Sequence, residues 1–456
     1  MKISFTRTAF VAAAALCLSC PTALGKDVLT VSGEGSVPLT LDKAIEIALA
    51  ENPTIVIADK QIQLKEVSRK EAWQTLLPSA DLSGSIQYTV LAAEMKLNGQ
   101  SFKMGKDDTY TWNGQMQVSL PLFAPTVYAT MNLTKTDLDN AVEQSRSSKL
   151  DLVNQVTKAY YQYILAQDSY EVLQKSYEQS SRNYEVINNM YQLGSASEYD
   201  KISAEVQMRE IHPTVISARN AVNLAMLQLK VLMGVTSDVD FEISSSLEDY
   251  EGELSTELYQ ADVYSLDNNT SLRQLTLNEN MLRQTLKIQK TNFMPTLALV
   301  GSYAFQSLYN DNLRLGNYDW GKSSSLVLSL SVPIYRASNF TKLKSTKLQI
   351  SQLAETRKNT ERQLEMQVRT YLDNMSASVE QISSNKEAVA QAEKGYEIAR
   401  KRYEIGGGTI LELNNSEVRV VTAELTYRQS IYDYLAAKSD LDKVLGKDEL
   451  IYNHSK

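Results

Sequence analysis

Few residues in this chain could do covalent or metal chemistry. His212 and His454 are the only histidines and lie far apart in sequence, so a histidine metal site or a nucleophile–histidine pair has little material. Cys17 and Cys20 both fall within the first 25 residues. Gly316-Asn317-Tyr318-Asp319-Trp320-Gly321-Lys322-Ser323 satisfies the spacing of a phosphate loop. Such a loop must follow a buried strand and open a helix whose N-terminus faces the phosphates, whereas the residues from Ser325 to Val332 alternate like a strand. Lys447-Asp448-Glu449-Leu450 has the letters of a retention signal but is not terminal. The expectation is a protein that is not an enzyme and carries no cofactor or metal.

The N-terminus reads as an export signal. Lys2 and Arg7 precede an apolar run from Ala9 to Leu18, and Ala23-Leu24-Gly25 is a small-x-small cleavage site. The run is about half of the roughly 20 residues a membrane-spanning helix needs. Cleavage after Gly25 leaves a mature chain from Lys26 without cysteine, and so without disulfide or thiolate chemistry. Lipidation at Cys20 is the alternative, although Cys17-Leu18-Ser19 makes a poor lipobox. Losing Lys2 and Arg7 takes the formal charge from −8 to −10, which argues against nucleic acid as a partner. Beyond the signal no stretch approaches a spanning helix in length, and passage through a membrane would have to use strands.

An internal duplication organises the chain. Tyr184-Glu185-Val186, Tyr191-Gln192-Leu193-Gly194 and Glu205-Val206 return 212 positions later as Tyr396-Glu397-Ile398, Tyr403-Glu404-Ile405-Gly406 and Glu417-Val418. Val118-Ser119-Leu120-Pro121-Leu122-Phe123 returns as Leu330-Ser331-Val332-Pro333-Ile334-Tyr335, and Leu232-Met233-Gly234 as Val444-Leu445-Gly446. Pro78 and Gly84 answer to Pro295 and Gly301 at an offset of 217, so the first half holds five extra residues before Pro121. Insertions collect in loops, and a loop is expected there. The period is far longer than the 20 to 50 residues of a solenoid.

Each half contains two segments of period two. Leu82, Gly84, Ile86, Tyr88 and Val90 alternate with Ser83, Ser85, Gln87 and Thr89, and Tyr110 to Leu120 repeats the pattern. Leu297 to Phe305 and Leu326 to Val332 do the same in the second half. Strands are predicted over 80–90, 110–120, 296–306 and 323–332, each of the roughly 9 to 11 residues that a tilted strand uses to cross a bilayer. Apolar residues would face out and polar residues in. Tyr88, Trp112, Phe123, Tyr303, Trp320 and Tyr335 are the candidate membrane-interface aromatics. A soluble sandwich would show the same alternation. Four strands cannot close a membrane barrel, whose smallest form has about 8, so several protomers must share one. Two copies would give eight strands and three would give twelve.

The remaining chain is helical. From Pro125 about 67 residues run to Gly194 without another proline or glycine, which makes about 100 Å of helix. Tyr163, Tyr170, Tyr177, Tyr184 and Tyr191 fall at every seventh position, and Met375, Ile382, Val389, Tyr396 and Tyr403 answer them. A strict heptad is a coiled-coil seam; a stacking surface for ligands is the alternative. Helical hairpins are predicted over 126–234 and 338–446, turning at Gly194 and Gly406. Shorter helices are predicted from Leu41 to Trp73 and from Leu258 to Phe293. Pro213 would kink the first hairpin and has no counterpart at Leu425. The divisions are thus a signal peptide (1–25), an N-terminal extension (26–40), a first repeat (41–234), an acidic surface connector (235–257), a second repeat (258–446) and a tail (447–456).

From Leu41 to about Gly446 the sequence resembles the TolC-like outer-membrane factor family, also called outer membrane efflux proteins. The resemblance rests on the duplicated half, on Leu77-Pro78 and Met294-Pro295 ahead of the strands, on the Ser-Leu/Val-Pro-Leu/Ile-Phe/Tyr exits and on the paired Tyr-x-Leu/Ile-Gly turns. It implies a mainly α protein with membrane β-structure: a homotrimer whose twelve strands form one outer-membrane barrel and whose helical hairpins form a periplasmic α-barrel. It implies passive conduction, with a periplasmic adaptor and an inner-membrane transporter of the RND, ABC or MFS type docking at the helical tip, in an efflux pump or type I secretion system. Leu193, Gly194, Ser195, Ile405, Gly406 and Gly407 would form the docking tips. Glu412 matches the first acidic ring of the family's gate, while Asn415 stands at the second. Tyr403 and Asp200 match a tyrosine and an aspartate that link adjacent helices, and Gly408 replaces the arginine of that cluster, which implies a weaker lock. Glu412 could equally be a solvated helix-surface carboxylate. A periplasmic structural or adaptor-like coiled coil is the competing function.

Overall fold

A computed structural model of the chain describes residues 37–97, 100–236, 239–253, 264–313 and 318–447. The expected signal segment with Cys17 and Cys20, together with His454, Gly316, Asn317 and 258–263, lies outside the described residues. The elements run β1 (Val37–Pro38), α1 (Leu41–Glu51), α2 (Pro53–Gln74), β2 (Ser79–Thr89), β3 (Ala93–Leu97), β4 (Gln100–Met104), β5 (Thr109–Phe123), α3 (Pro125–Gln192), α4 (Glu198–Met233), β6 (Phe241–Glu242), a 3-10 turn (Leu247–Glu253), α5 (Thr270–Thr291), β7 (Thr296–Asn310), β8 (Gly321–Ser331), α6 (Ala337–Glu404) and α7 (Ile410–Leu445).

The long helices α3 and α6 are each 68 residues, and their return arms α4 and α7 each 36. No Gly or Pro interrupts α3 after Pro125, and Pro125 itself takes the first helical position, where its missing N–H costs nothing. All four helices end in the same way. Gly194, Gly234, Gly406 and Gly446 have φ between 66° and 75°, and the amide after each donates back to the carbonyl five residues earlier, as Ser195 does to Met190 (2.7 Å) and Gly407 to Arg402 (2.8 Å). At Gly234 a side chain is excluded on two counts, since an added Cβ would also lie 2.7 Å from the Glu51 carbonyl oxygen. α4 continues through Pro213 as one helix.

The main core lies where α3, α7, α6, α1 and α4 contribute side chains, around Val156, Ile164, Leu229, Val368 and Ile431. The heptad stripe serves this packing: Tyr163, Met375, Ile382 and Val389 belong to or lean on that core, while Tyr184, Tyr396 and Tyr403 pack on a second, smaller one made by Ile187, Ala204, Ile410 and Leu413.

One expectation is corrected, and two are refined. The first short helix is two helices, because Asn52, preceding Pro53, is held extended at φ −65° and ψ 125°. In the second half α5 starts at Thr270, capped by Asn269. The two asparagines stand 217 positions apart and do the same double work. Thr54 N–H donates to Asn52 Oδ1 (2.8 Å), and Leu272 N–H donates to Asn269 Oδ1 (3.1 Å). Asn52 Nδ2 donates to the Leu232 carbonyl and Asn269 Nδ2 to that of Val444, each at 2.7 Å. Each side chain thus caps the start of one helix and the end of another. Asn52→Ala and Asn269→Ala should each lower stability by about 1–3 kcal/mol, measured by urea titration. Asn→Asp, which keeps the acceptor and loses the donor, should fall between.

The two refinements concern loops. The loop expected between Gly84 and Pro121 carries a hairpin, β3 paired with β4. The expected surface connector is partly buried among its described residues, for Ile243 and Leu247 belong to the main core. There Asp168 of α3, 3% exposed, accepts from Ser246 Oγ (3.1 Å), Leu247 N–H (3.1 Å) and Arg428 Nη1 of α7 (3.0 Å). Glu251 pairs with Lys386 of α6 (2.7 Å) and accepts from Tyr427 of α7. The connector is a strap across three long helices.

Candidate functional site

The sheet is a wall with two unlike faces. Its order is β2-β5-β7-β8, all antiparallel. The register puts Leu82 opposite Met116, Met116 opposite Tyr303, and Tyr303 opposite Ser324; one row further, Ala80, Val118, Gly301 and Leu326 align. The apolar parities of the four strands therefore share a face. The other face carries rows such as Ser83, Gln115, Ala304 and Ser323. Neither face is buried within the chain: β2 and β8 are exposed almost throughout, with Leu82 77% and Leu326 74% exposed. β2 and β8 are also the two edges of the sheet. No helix among the described residues is long and apolar enough to cross a membrane.

Aromatics gather at both ends of this wall. Tyr88 stacks on Tyr110 (4.8 Å between centroids), Trp112 on Tyr318 (6.3 Å) and Phe305 on Trp320 (5.8 Å). At the opposite end are Phe123, closing β5, and Tyr335, beside Phe340 (6.3 Å). Trp112 and Phe123 are eleven steps apart on β5, about 36 Å along the strand and about 28 Å at a barrel tilt near 40°. That matches the height of a lipid-facing band. Tyr303, opposite Met116, stands between those two ends of the wall.

The literal phosphate-loop motif does not become one. Its last residues open β8, with no helix following Ser323. Among the described residues no group of His, Cys, Asp and Glu side chains could hold a metal ion.

At the far end of the long helices, the turns Leu193-Gly194-Ser195 and Ile405-Gly406-Gly407 protrude, with Leu193 and Ile405 each 82% exposed. The repeat also places a carboxylate three residues after each helix cap, but the two behave differently. Ser197 and Asp200 form a closed capping box, in which Ser197 Oγ donates to Asp200 Oδ2 (2.8 Å) and Asp200 N–H to Ser197 Oγ (3.1 Å). Thr409 Oγ1 accepts from Glu412 N–H (3.2 Å), while the Glu412 carboxylate turns outward to Arg402 Nη1 at 3.8 Å. Arg402 Nη2 also donates to the Gly407 carbonyl (3.0 Å). Arg402 thus supplies an arginine to the turn from six residues before Gly408. The signal for it was a basic residue in the last helical turn, where carbonyls point outward.

Tyr403 is half-buried, and burial, together with the charge of Asp200, raises its hydroxyl above the ordinary tyrosine value. Asp200 spends its carboxylate on Ser197, and among the described residues no hydrogen bond joins it to Tyr403. Asn415 is exposed one turn beyond Glu412. Glu412, Asn415, Tyr403 and Asp200 all stand at the same end of the hairpins.

A carboxylate that the sequence reasoning missed lies deeper. Glu417, 5% exposed, accepts from Ser180 Oγ (2.6 Å) and Ser176 Oγ (3.3 Å) of α3. Burial pushes its carboxyl up, against the two serine hydroxyls, which pull it down. The legible trace was Val172-x3-Ser176-x3-Ser180, a row of small and polar side chains on one helical face that leaves room for an acid.

The sequence profile of the outer membrane efflux protein family matches residues 44–235 and 264–447. Outer membrane protein TolC of Vibrio cholerae is 21% identical over 336 residues, 72% of this chain and 75% of that protein. The alkaline protease secretion protein AprF of Pseudomonas aeruginosa is 22% identical over 353 residues, covering 74% of this chain and 69% of its own length. The crystal structure of the Campylobacter jejuni CmeC outer membrane channel superposes with a TM-score of 0.68 at 17% identity, covering 96% of both chains. This is a family of ducts and not of enzymes. Because the profile spans both halves of the repeat, and with them the sheet and both hairpins, the chain belongs to the outer membrane efflux protein family and acts as a channel in the outer membrane.

Proposed function

We propose that three copies of this chain join β8 of one to β2 of the next, closing a twelve-stranded barrel, and that their hairpins form a tunnel reaching into the periplasm. The observation that carries this reading is the sheet itself: an apolar face of lipid-crossing height, a polar face behind it and two unpaired edges. Open edges in hydrocarbon would leave backbone groups without partners, and closure between copies removes them. A purely periplasmic coiled coil would expose Leu82, Leu326, Leu328 and Leu330 to water.

The hairpin turns dock a periplasmic adaptor, which connects the duct to an inner-membrane transporter of the RND, ABC or MFS type. Exposed Leu193, Tyr199, Ile405 and Leu411 offer that partner apolar contact. Glu412, repeated around the axis, forms an acidic ring at the constriction, and Arg402 beside it moderates the charge.

Two measurements test this. Detergent extraction of outer membranes should yield a species that runs as a trimer unboiled and as a monomer boiled; a soluble periplasmic monomer would end the proposal. In planar bilayers under a salt gradient the duct should be cation-selective, and Glu412→Ala should move its reversal potential toward zero. An unchanged potential would remove Glu412 from the constriction and leave the trimer standing.

A further inference from the structure

The four turns of each helix nearest the sheet differ in charge from the rest of the chain. Segments 61–74 of α2, 125–138 of α3, 278–291 of α5 and 337–350 of α6 hold ten Lys and Arg against four Asp and Glu, in a chain whose formal charge is −8. Lys65 pairs with Asp137 (2.8 Å) and Arg283 with Glu279 (2.5 Å), and the other eight cations make no ion pair among the described residues. Like charges gathered in this way repel one another, and such a collar is favourable only where anions outside the chain face it.

The cations favour one side of their helices. Arg283, Lys287 and Lys290 fall at i, i+4 and i+7 in one stripe of α5, and Phe340, Lys344 and Lys347 do the same on α6. The stripes opposite are uncharged, with Asn278, Thr285 and Asn292 on α5 and Ser338, Ser345 and Gln349 on α6. Between α2 and α3 an open groove of about 630 Å³ brings Arg69, Lys70 and Trp73 together with Met131 and Lys135. Aromatic rings share the charged side. Trp73 and Phe340 are exposed, and Phe340 packs on Phe293 (5.1 Å) and on Tyr335 (6.3 Å) at the helical end of the wall. The charged side is therefore continuous with the aromatic margin of the membrane wall, where amphipathic rings settle at a lipid–water boundary.

We propose that this collar binds the anionic headgroups of phospholipids in the leaflet that faces the periplasm. The inference rests on the barrel proposed above, which sets the wall in the bilayer and the helices beneath it. The heights agree. Lys290 lies one residue from the end of α5, and Lys287 and Lys70 lie four residues from the ends of α5 and α2, about 2–6 Å along the helix axis. The headgroup region is roughly 5–8 Å deep on each side of the hydrocarbon, and a lysine stem lies along apolar surface while its ammonium reaches the phosphates. Each cation at an anionic lipid surface favours binding by about fivefold. A soluble anion would gain nothing from the exposed rings of Trp73 and Phe340, whereas a lipid meets ring and ammonium together.

Brominated lipids, which quench tryptophan on contact, test this. The protein with Trp112→Phe and Trp320→Phe keeps Trp73 as its sole tryptophan. It is reconstituted in phosphatidylcholine vesicles containing brominated phosphatidylglycerol or brominated phosphatidylcholine. Quenching of Trp73 should show a preference of about fivefold or more for phosphatidylglycerol. The preference should fall toward one in about 1 M salt, where charges are screened within about 3 Å, and in the triple variant Lys70→Gln, Lys287→Gln, Lys290→Gln. Lys358→Gln, Lys394→Gln and Lys401→Gln together, which remove three exposed α6 lysines nearer the tip, should leave it unchanged. Trp73→Phe reports the wall alone, through Trp112 and Trp320. Quenching there with none at Trp73 overturns the collar and leaves the barrel standing; no quenching in either protein overturns both. Should the double Trp→Phe variant not assemble, the difference between wild type and Trp73→Phe supplies the Trp73 signal. Equal quenching by the two lipids, or equal loss in the α6 control, would overturn the proposal. So would a triple variant near the sheet that keeps the lipid preference and changes only the reversal potential in planar bilayers, since its lysines would then line the lumen.

Discussion

Asp168→Ala is expected to destabilise the helical region by up to about 3–5 kcal/mol, the cost of breaking a buried ion pair, because it leaves the Arg428 guanidinium only the exposed Glu248 carboxylate at 3.6 Å. The Asp168 side chain is 4% exposed and that of Arg428 17%, so water replaces the lost contact only in part. Three donors converge on the single oxygen Asp168 Oδ2, and two of them belong to the strap at Ser246 and Leu247. The substitution therefore releases the strap as well as the ion pair. Hydrogen exchange should show faster opening of 246–251 before the long helices unfold, and urea titration should show the global loss. Asp168→Asn, which keeps an acceptor but no charge, should cost less. If Asp168→Ala unfolds at the wild-type denaturant concentration, the strap contributes nothing to the hairpins.

Leu326→Arg and Ser325→Arg change adjacent residues and should behave oppositely. Leu326 aligns with Gly301 and Val118 midway along the apolar face, and Ser325 with Ser302 on the polar one, where the two hydroxyls meet at 2.8 Å. An arginine at the bilayer midplane costs about 2–4 kcal/mol, and in a trimer that cost enters three times, at the strand that seals one copy to the next. Leu326→Arg should abolish the heat-resistant trimer on unboiled gels. Ser325→Arg places its charge in the wet lumen, where it should leave assembly intact and reduce cation selectivity. Equal loss of trimer in both variants would mean that the sheet buries both faces alike.

The membrane wall was legible in the sequence because a strand's side-chain direction is a local property. Alternation from Leu82 to Val90 or from Leu326 to Val332 determines which residues share a face, whatever the partner strand. The heptad at Tyr163 to Tyr191, the glycine stops and the 212-residue repeat likewise depend on spacing along the chain, and they delimit α3, α4, α6 and α7 to within a few residues. The split at Asn52 was less legible, since Asn-Pro in a helical pattern reads as a boundary only if the asparagine finds work there. Its work, a donor for the Leu232 carbonyl, lies 180 residues away.

Among the residues implied for the tip, the chain's spacing placed Glu412 and Asp200 as equivalents of each other. Only the three-dimensional turn decided that Asp200 would close its own capping box while Glu412 would lean toward Arg402. The same holds for Glu417, which is a twin of Glu205 by sequence. Glu205 pairs with Arg209 one turn along its own helix (2.7 Å), and Glu417 is enclosed by serines from α3 some 240 residues earlier. Periodicity and composition thus determined the two faces, the helix lengths and the need for several copies. Which polar groups meet was settled only when helices distant in sequence packed together, because the free energy of a buried charge depends on the atoms that surround it and not on its neighbours in the chain.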